Sequence, residues 1–192
     1  MTEKEKMLAG LWYNANFDPQ LAQERALVKD LCLEFNSMRM KDLPRRKKIL
    51  REILPHVDAE AVEILSPFMV DYGYNVFMGA GVFLNHNVYL MDCATIRLGK
   101  KVFVGPNCGF YTAIHPFDIV KRAEGLEMCK PIVVGDDVWI GSDVTILPGV
   151  TIGSGSVIGA KSLVTKDIPD NVLAFGNPAR VIKRIGMETL LV

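Results

Sequence analysis

The 192-residue sequence has no surplus of charge of either sign, because 22 Lys and Arg residues balance 22 Asp and Glu residues. This balance argues against a general attraction to nucleic acid or to a membrane surface. No apolar run approaches the roughly 20 residues of a membrane span, and the first ten residues lack the apolar core of a signal peptide. We therefore expect a cytoplasmic chain of about one domain, with neither nucleic acid nor membrane as a partner.

Metal-binding patterns are also missing from the sequence. The four cysteines form no CxxC pair and have no metal-ligand spacing with any of the three histidines. We expect reduced thiols, no metal centre and no metal requirement. The cysteines are Cys32, Cys93, Cys108 and Cys129.

What the sequence does have is a six-residue period between residues 132 and 165. Aliphatic residues stand at every sixth position, a second small or aliphatic series stands two positions earlier, and glycine follows most members of the first series. An amphipathic helix would space apolar residues by three and four, and a long strand would alternate without a glycine every six residues. The period predicts an all-β solenoid whose short strands point both series inward. The first series is Val134, Ile140, Ile146, Ile152, Ile158 and Val164; the second is Ile132, Val138, Val144, Val150, Ser156 and Ser162.

The rest of the chain divides around this solenoid. Residues 1–60 predict a helical segment, with a Thr2–Glu5 capping box and an Asp18 N-cap before Pro19; we expect the basic run 45–48 to be a solvated face. Residues 61–169 predict the solenoid, with about twelve hexads or roughly four coils. Residues 112–131 interrupt it as an extruded loop, the kind of insertion that is often functional. Residues 170–192 predict a C-terminal cap that leaves the solenoid as a turn, a short strand and a tail.

Several separate motifs resemble the maltose and galactoside O-acetyltransferases, which belong to the hexapeptide-repeat acyltransferases. They cover nearly the whole chain and include Asn85 within an Asn-His-Asn triplet. The matching segments are AGLWYNANFDPQL (9–21), DYGYNV (71–76), YTAIHP (111–116), VWIGSDVTILPGVTIG (138–153), VIGAKSLVTKDIP (157–169) and GNPARVIKRI (176–185). The resemblance implies a left-handed parallel β-helix of three-sided coils, a homotrimer with active sites between subunits, and direct transfer of an acetyl group from acetyl-CoA to a sugar hydroxyl.

The resemblance also assigns catalytic and cofactor positions. It implies that His115 is the general base, a role that suits a neutral imidazole near pH 7, and that Asn85 faces the reacting centre. Without the motif, His115 would be an ordinary loop histidine and Asn85 a turn residue. Trp139 lies between inward Val138 and Ile140, so it faces out of the prism, toward a ligand or a neighbouring subunit. The implied coenzyme A positions are Trp139, Ser142, Ala160, Thr165, Lys166, Arg180 and Lys183.

The acceptor positions depart from the galactoside enzymes. Asp71 stands in place of serine, Phe83 in place of tyrosine, Cys93 in place of aspartate and Glu127 in place of methionine. Galactoside specificity therefore does not carry over, and Glu127 is a candidate to orient His115. The implied acceptor-binding residues are Asn14, Asp71, Phe83, Asn85, Cys93 and Glu127.

Two alternative functions stay open, and one is set aside. The same fold could acetylate an antibiotic hydroxyl, an amine or serine, or it could be a scaffold that catalyses nothing. A metal-dependent carbonic anhydrase on the same prism would need three histidine ligands, and the three histidines here have no such spacing.

Overall fold

A computed structural model describes residues 1–186 and begins with a helical segment. This segment contains α1 (Glu3–Leu8), β1 (Tyr13–Asn14), α2 (Pro19–Ser37) and α3 (Leu43–Ile53). Thr2 and Glu5 form the predicted capping box at the start of α1, and the Asp18 side chain accepts a hydrogen bond from the Leu21 N–H at the start of α2. No helix of residues 1–186 is both long and apolar enough to cross a membrane.

Short strands then follow one another along nearly all of the remaining chain. In order they are β2 (Glu63–Ile64), β3 (Phe68–Val70), β4 (Val76–Met78), β5 (Phe83–Leu84), β6 (Val88–Met91), β7 (Ile96–Leu98), β8 (Phe103–Val104), β9 (Gly109–Tyr111), β10 (Ala113–Ile114), α4 (Ile119–Ala123), β11 (Leu126–Cys129), β12 (Ile132–Val134), β13 (Trp139–Ile140), β14 (Thr145–Ile146), β15 (Thr151–Ile152), β16 (Val157–Ile158), β17 (Leu163–Val164), β18 (Val172–Gly176) and β19 (Ala179–Arg184).

Three sheets form the sides of the solenoid, and each of the four coils from β2 to β15 adds one strand to each of them. The first side has the order β19-β18-β16-β13-β8-β5-β2, the second β17-β14-β9-β6-β3 and the third β15-β12-β7-β4. Within the prism the strands pair in parallel, for example β13 with β8 and β16. The predicted parallel β-solenoid with an N-terminal helical segment is confirmed.

The solenoid is longer than the predicted four coils. Within residues 1–186 it makes about six turns, because β2 already opens a first coil and β18 stacks in parallel on β16. The expectation that the chain leaves the prism at residue 170 is therefore wrong; it leaves only after β18, where β19 folds back antiparallel. Residues 187–192 of the predicted C-terminal cap lie outside the described residues.

The core follows the six-residue period. Both predicted inward series are buried along their whole length, including Ser156 at 0% and Ser162 at 2% exposure. The Ser156 hydroxyl donates to the Pro169 carbonyl at 2.6 Å and accepts from the Val172 N–H at 3.1 Å. The inward serines thus tie the last turn to the prism where the aliphatic series ends.

Helices α2 and α3 pack on the first coil and extend its core. Arg46, in the basic run expected to be solvated, is instead buried at 4% exposure. Its guanidinium donates to the carbonyls of Phe35 and Ile64, each at 3.2 Å, and lies 4.0 Å from the centre of the Phe35 ring. A buried guanidinium thus joins α3 to both α2 and the first coil, so the solvated interpretation is wrong for this residue.

Candidate active site

His115 lies at the end of a small antiparallel sheet formed by the extruded segment. Strand β10 pairs with β11, and β11 pairs with β1 of the N-terminal segment. Between β10 and β11, Asp118 caps α4 by accepting hydrogen bonds from the N–H groups of Val120 and Lys121, each at 2.9 Å. The segment 112–131, expected as a loop, therefore has secondary structure that holds His115 in place.

The two ring nitrogens of His115 face different partners. Nδ1 lies 3.2 Å from the carbonyl oxygen of Leu126, and Nε2 lies 3.6 Å from Oε2 of Glu127. A carbonyl oxygen can only accept, so Nδ1 carries the proton and the Nε2 lone pair is free in the neutral ring. The His115 side chain is 46% exposed and Glu127 only 13%. The arrangement can accept a proton from solvent-accessible space and stabilise the resulting imidazolium.

The N-terminal segment holds the Glu127 side chain in place. Tyr13 pairs with Glu127 across β1 and β11, and its hydroxyl donates to Glu127 Oε1. The same hydroxyl lies 3.3 Å from the Cys129 sulfur. Burial raises the pKa of Tyr13 well above its ordinary range, and the neighbouring Cys93 and Glu127 add to this effect. Tyr13 is therefore a neutral donor that fixes the carboxylate.

A buried carboxylate shapes the neighbouring turn. Asp92 is 0% exposed, and its Oδ1 accepts from the backbone N–H groups of Asp71 at 3.0 Å and Tyr72 at 2.8 Å. Burial raises the pKa of Asp92 to about 6. This turn also positions the Asp71 carboxylate, which accepts a hydrogen bond from the Tyr89 hydroxyl at 2.6 Å and lies 3.2 Å from Lys29 Nζ.

Three of the predicted acceptor positions lie in this region. The Cys93 sulfur is 3.1 Å from the Thr112 hydroxyl, at the point where the extruded segment leaves the prism. Burial lowers the pKa of Arg25, but its contact with Tyr72 and then the charges of Asp71 and Glu127 raise that pKa above its ordinary value. Asp71, Cys93 and Glu127 thus belong to one polar cluster with the Arg25 guanidinium, which we call the Asp71 cluster.

Two other predicted acceptor residues are placed differently. Both ends of the Asn14 amide are engaged within the chain: Nδ2 donates to the Glu124 carbonyl and Oδ1 accepts from the Phe17 N–H, each at 2.9 Å. Phe83 lies on the first side of the prism, edge-to-face with Phe103 at 6.4 Å. We assign Asn14 to holding the extruded segment, and within one chain Phe83 is separate from the Asp71 cluster.

A groove of about 500 Å³ follows the corner after the first side of the prism. Trp139 is 50% exposed on its wall, as the sequence predicts. Stacked glycines form the groove's floor, and they have no room for a side chain: a Cβ on Gly141 would lie 2.7 Å from the Ala160 nitrogen. The predicted residues that line the groove are Asn85, Trp139, Ser142 and Ala160.

The remaining predicted cofactor residues lie around this groove or at another corner. Arg180 and Lys183 are exposed on β19, and Arg180 pairs with Phe175, which lines the groove. Thr165 and Lys166 follow β17, on the second side of the prism. The structure therefore groups five cofactor positions along one groove and its edge, and places Thr165 and Lys166 at the next corner.

The predicted site residues of one chain thus lie in two groups, at two corners of the prism. Asn85 and the groove lie after the first side, whereas the segment that holds His115 leaves after β9 on the second side.

Comparison with known proteins agrees with this geometry. Residues 6–58 match the family model described as "Maltose acetyltransferase hexapeptide capping motif", and residues 131–166 match "Bacterial transferase hexapeptide (six repeats)". The chain is 44% identical to a maltose O-acetyltransferase from Clostridium difficile 630, with a TM-score of 0.92, and the similarity covers 97% of this chain and 98% of the other. The chain belongs to the maltose and galactoside O-acetyltransferase family.

Other structures of this family contain the cofactor. A Vibrio cholerae hexapeptide-repeat acetyltransferase in complex with acetyl coenzyme A is 36% identical, with a TM-score of 0.85 over 97% of this chain and 100% of that one. A galactoside acetyltransferase in complex with coenzyme A is 35% identical, with a TM-score of 0.88 over 98% of this chain and 94% of that one.

Several residues that contact the candidate site residues of this acetyltransferase are not predicted from the sequence. Tyr13 lies 114 positions from Glu127, and Tyr89 and Lys29 reach Asp71 from a different coil and from α2. The one local signal was the alternation along β11, which directs Glu127 and Cys129 to the same face of the strand.

Proposed function

We propose that this acetyltransferase moves the acetyl group of acetyl-CoA directly to a hydroxyl group of a maltose-, glucose- or galactoside-like sugar, with His115 as the general base. The observation that carries the proposal is the contact between His115 Nδ1 and the Leu126 carbonyl. This contact leaves Nε2 unprotonated in the neutral ring, on a half-exposed side chain. Abstraction of a hydroxyl proton requires such a nitrogen.

The proposed reaction is a single transfer with both substrates bound. The sugar oxygen attacks the thioester carbon while Nε2 of His115 takes the hydroxyl proton, and the sulfur of coenzyme A leaves as the carbonyl reforms and receives that proton. Glu127 stabilises the intervening imidazolium from 3.6 Å. No acyl-enzyme is needed, and the buried Cys32 and Cys108 have pKa values raised by burial to about 11, which disfavours the nucleophilic thiolate.

Coenzyme A would occupy the groove beside Trp139. Its pantetheine arm fits a floor of stacked glycines, and its phosphates would reach Arg180 and Lys183 on the exposed edge strand. Asn85 and the backbone N–H of Ser142 are the proposed donors to the developing oxyanion. The coenzyme A and acetyl-CoA complexes of the two family members support this placement.

The acceptor would bind beside the Asp71 cluster. Carboxylates and buried hydroxyls suit a substrate whose hydroxyl groups both donate and accept hydrogen bonds. The 44% identical protein called a maltose O-acetyltransferase supports a sugar. Asp71, Cys93 and Glu127 provide the contacts from one chain, and Phe83 would come from a neighbouring copy.

We propose assembly as a homotrimer, and the positions of Asn85 and His115 support it. Asn85 and His115 lie at different corners of one prism, so the second corner must be supplied by another copy for both to act on one thioester. Packing of prisms would cover the exposed aromatic residues Phe103 and Trp139. We also propose a cytoplasmic location, which the four unpaired cysteines support.

Replacement of His115 tests the mechanism. We expect His115→Ala to lower kcat by about 10²- to 10⁴-fold, the usual contribution of a general base. Release of free coenzyme A thiol from acetyl-CoA would be measured with maltose, glucose and a galactoside. His86→Ala is the matched control, because His86 is an exposed histidine on the prism. Unchanged turnover in His115→Ala would exclude the mechanism.

An acceptor panel separates the alternatives. Turnover with serine, an amine or an antibiotic hydroxyl but not with sugars would change the acceptor class. A chain that bound no coenzyme A at millimolar concentration would be a scaffold rather than an enzyme.

A further inference from the structure

Three side chains with metal-binding atoms, those of Cys93, Glu127 and Cys129, lie close together near His115. The Cys93 sulfur, a Glu127 carboxylate oxygen and the Cys129 sulfur all lie within 4.8 Å of one another. Glu127 and Cys129 come from the same face of β11, whereas Cys93 comes from the corner after Asp92, in the second coil. Neither the resemblance nor the proposed mechanism gives these three residues a joint role.

The spacing fits a tetrahedral zinc ion. With Zn–S near 2.3 Å and Zn–O near 2.1 Å, a tetrahedral angle places sulfur and oxygen about 3.6 Å apart. The Cys129 sulfur lies 3.6 Å from Glu127 Oε1. Two thiolates on the same ion would be about 3.8 Å apart by the same geometry, within the 4.8 Å limit of the cluster. The donors need only small shifts to share one cation.

The surroundings also suit a metal site. Cys93 and Cys129 are 2% and 3% exposed, so competition from water is weak. The Tyr13 hydroxyl contacts both Glu127 and Cys129, and the Thr112 hydroxyl lies 3.1 Å from the Cys93 sulfur. Such outer partners orient metal ligands. Glu127 is the most exposed of the three, at 13%, and lies next to half-exposed His115.

We propose that Cys93, Glu127 and Cys129 form a binding site for a soft divalent cation, with Zn²⁺ as the best fit, and that its occupancy inhibits the enzyme. Binding releases two thiol protons and leaves the fourth tetrahedral position to water. Two thiolates and a carboxylate favour Zn²⁺ over Mg²⁺ or Ca²⁺.

Inhibition is the part that rests on the proposed function. Glu127 faces His115 through its other oxygen, at 3.6 Å from Nε2. A bound cation would weaken the electrostatic interaction between the Glu127 carboxylate and His115. It would also occupy space beside Cys93 and Glu127, two proposed acceptor contacts. Zn²⁺ should therefore compete with the acceptor and leave the groove for coenzyme A open.

The binding test requires no activity. The full chain, reduced and treated with chelator, is titrated anaerobically with Co²⁺ as the spectroscopic substitute for Zn²⁺. We expect a sulfur-to-cobalt charge-transfer band together with the visible bands of tetrahedral cobalt, and loss of both on addition of Zn²⁺. Absence of the charge-transfer band at millimolar Co²⁺ would overturn the proposal.

Matched cysteine variants locate the site. We expect Cys93→Ser and Cys129→Ser each to weaken Co²⁺ binding by at least about 100-fold. Loss of a side chain that binds the metal directly should cost more affinity than the usual loss of a residue that only hydrogen-bonds to a ligand. Cys108→Ala, a buried cysteine outside the cluster, should bind as the wild type does. A full charge-transfer band in both cluster variants would refute the assignment.

Alkylation of the wild type tests the same point in case a variant does not fold. Zn²⁺ should protect Cys93 and Cys129 from an alkylating reagent, and absence of protection would count against the site.

The activity test separates the two proposals. If acetyl transfer occurs, micromolar Zn²⁺ should inhibit the wild type, and inhibition relative to each variant's own activity should require at least about 10-fold more Zn²⁺ in Cys129→Ser. Inhibition without a charge-transfer band would assign the effect to His115 alone and refute the cysteine site. A charge-transfer band in a chain that transfers no acetyl group would support the metal site and refute only the proposed function.

Discussion

The carboxylate beside His115 offers the sharpest test of how the active site works. In Glu127→Gln the side chain keeps its size and loses its charge, so the variant removes the attraction between the carboxylate and the imidazolium formed during proton transfer. The two groups lie 3.6 Å apart, between Nε2 and Oε2.

The size of the effect follows from this distance. At 3.6 Å, Coulomb's law gives about 1.2 kcal/mol in bulk water and about 4.6 kcal/mol at an effective dielectric constant near 20. Because the His115 side chain is 46% exposed and Glu127 13%, solvent screens the pair and a value near 2 kcal/mol is appropriate. We therefore expect kcat to fall about 30-fold.

The assay measures kcat and KM separately, at saturating acetyl-CoA, for the wild type and for Glu127→Gln. The KM for acetyl-CoA should not change, because Glu127 lies outside the groove. Glu124→Gln is the matched control, since Glu124 is an exposed carboxylate on the same segment. Tyr13→Phe should cost less by itself, about 3- to 5-fold, and almost nothing more when combined with Glu127→Gln, because its hydroxyl acts through that carboxylate. Equal kcat values for Glu127→Gln and wild type, or an equal loss in Glu124→Gln, would refute the reasoning.

Three further predictions concern the groove and the buried turn. Asn85→Ala should lower kcat by about 10²- to 10³-fold at saturating substrates if its amide stabilises the oxyanion, and an effect on KM alone would contradict that role. Trp139→Ala should raise the KM for acetyl-CoA about 10-fold through lost packing of a half-exposed ring, while Phe103→Ala, an exposed aromatic residue outside the groove lining, should not; equal effects would point to subunit packing instead. Because the pKa of Asp92 is raised by burial from 3.8 to about 6, its contribution to the free energy of unfolding is fully present below pH 3.8 and is lost as pH rises through 6, by about 3 kcal/mol in all. Urea unfolding between pH 4 and 7.5 should show a steeper fall with pH for the wild type than for Asp92→Asn, and parallel curves would refute this assignment.

The prism could be predicted because its signal is local. Each hexad carries its own inward pair and its own turn, so the period between residues 132 and 165 is visible without knowing what stacks on it. The ends of the solenoid lack that signal. Strand β18 joins the prism through its pairing with β16 and through Ser156, two contacts that no spacing within residues 170–186 reveals.

The basic run shows the same limit on the helical side. Residues 45–48 look solvated in sequence, since arginine and lysine are rarely buried. Arg46 is buried because two backbone carbonyls and the Phe35 ring surround its guanidinium. Only the packing of α3 against the first coil provides those partners.

By itself the sequence determined the repeating coil, the outward position of Trp139 and the motif that contains His115, because each depends on residues that are close together in the sequence. Tertiary structure alone decided what surrounds His115. The pairing of β1 with β11 places Tyr13 under Glu127, and the stacking of coils places Cys93 beside Cys129 across 36 positions of sequence. Contacts of this kind depend on the register between distant strands, and register is set by the whole core rather than by any local pattern.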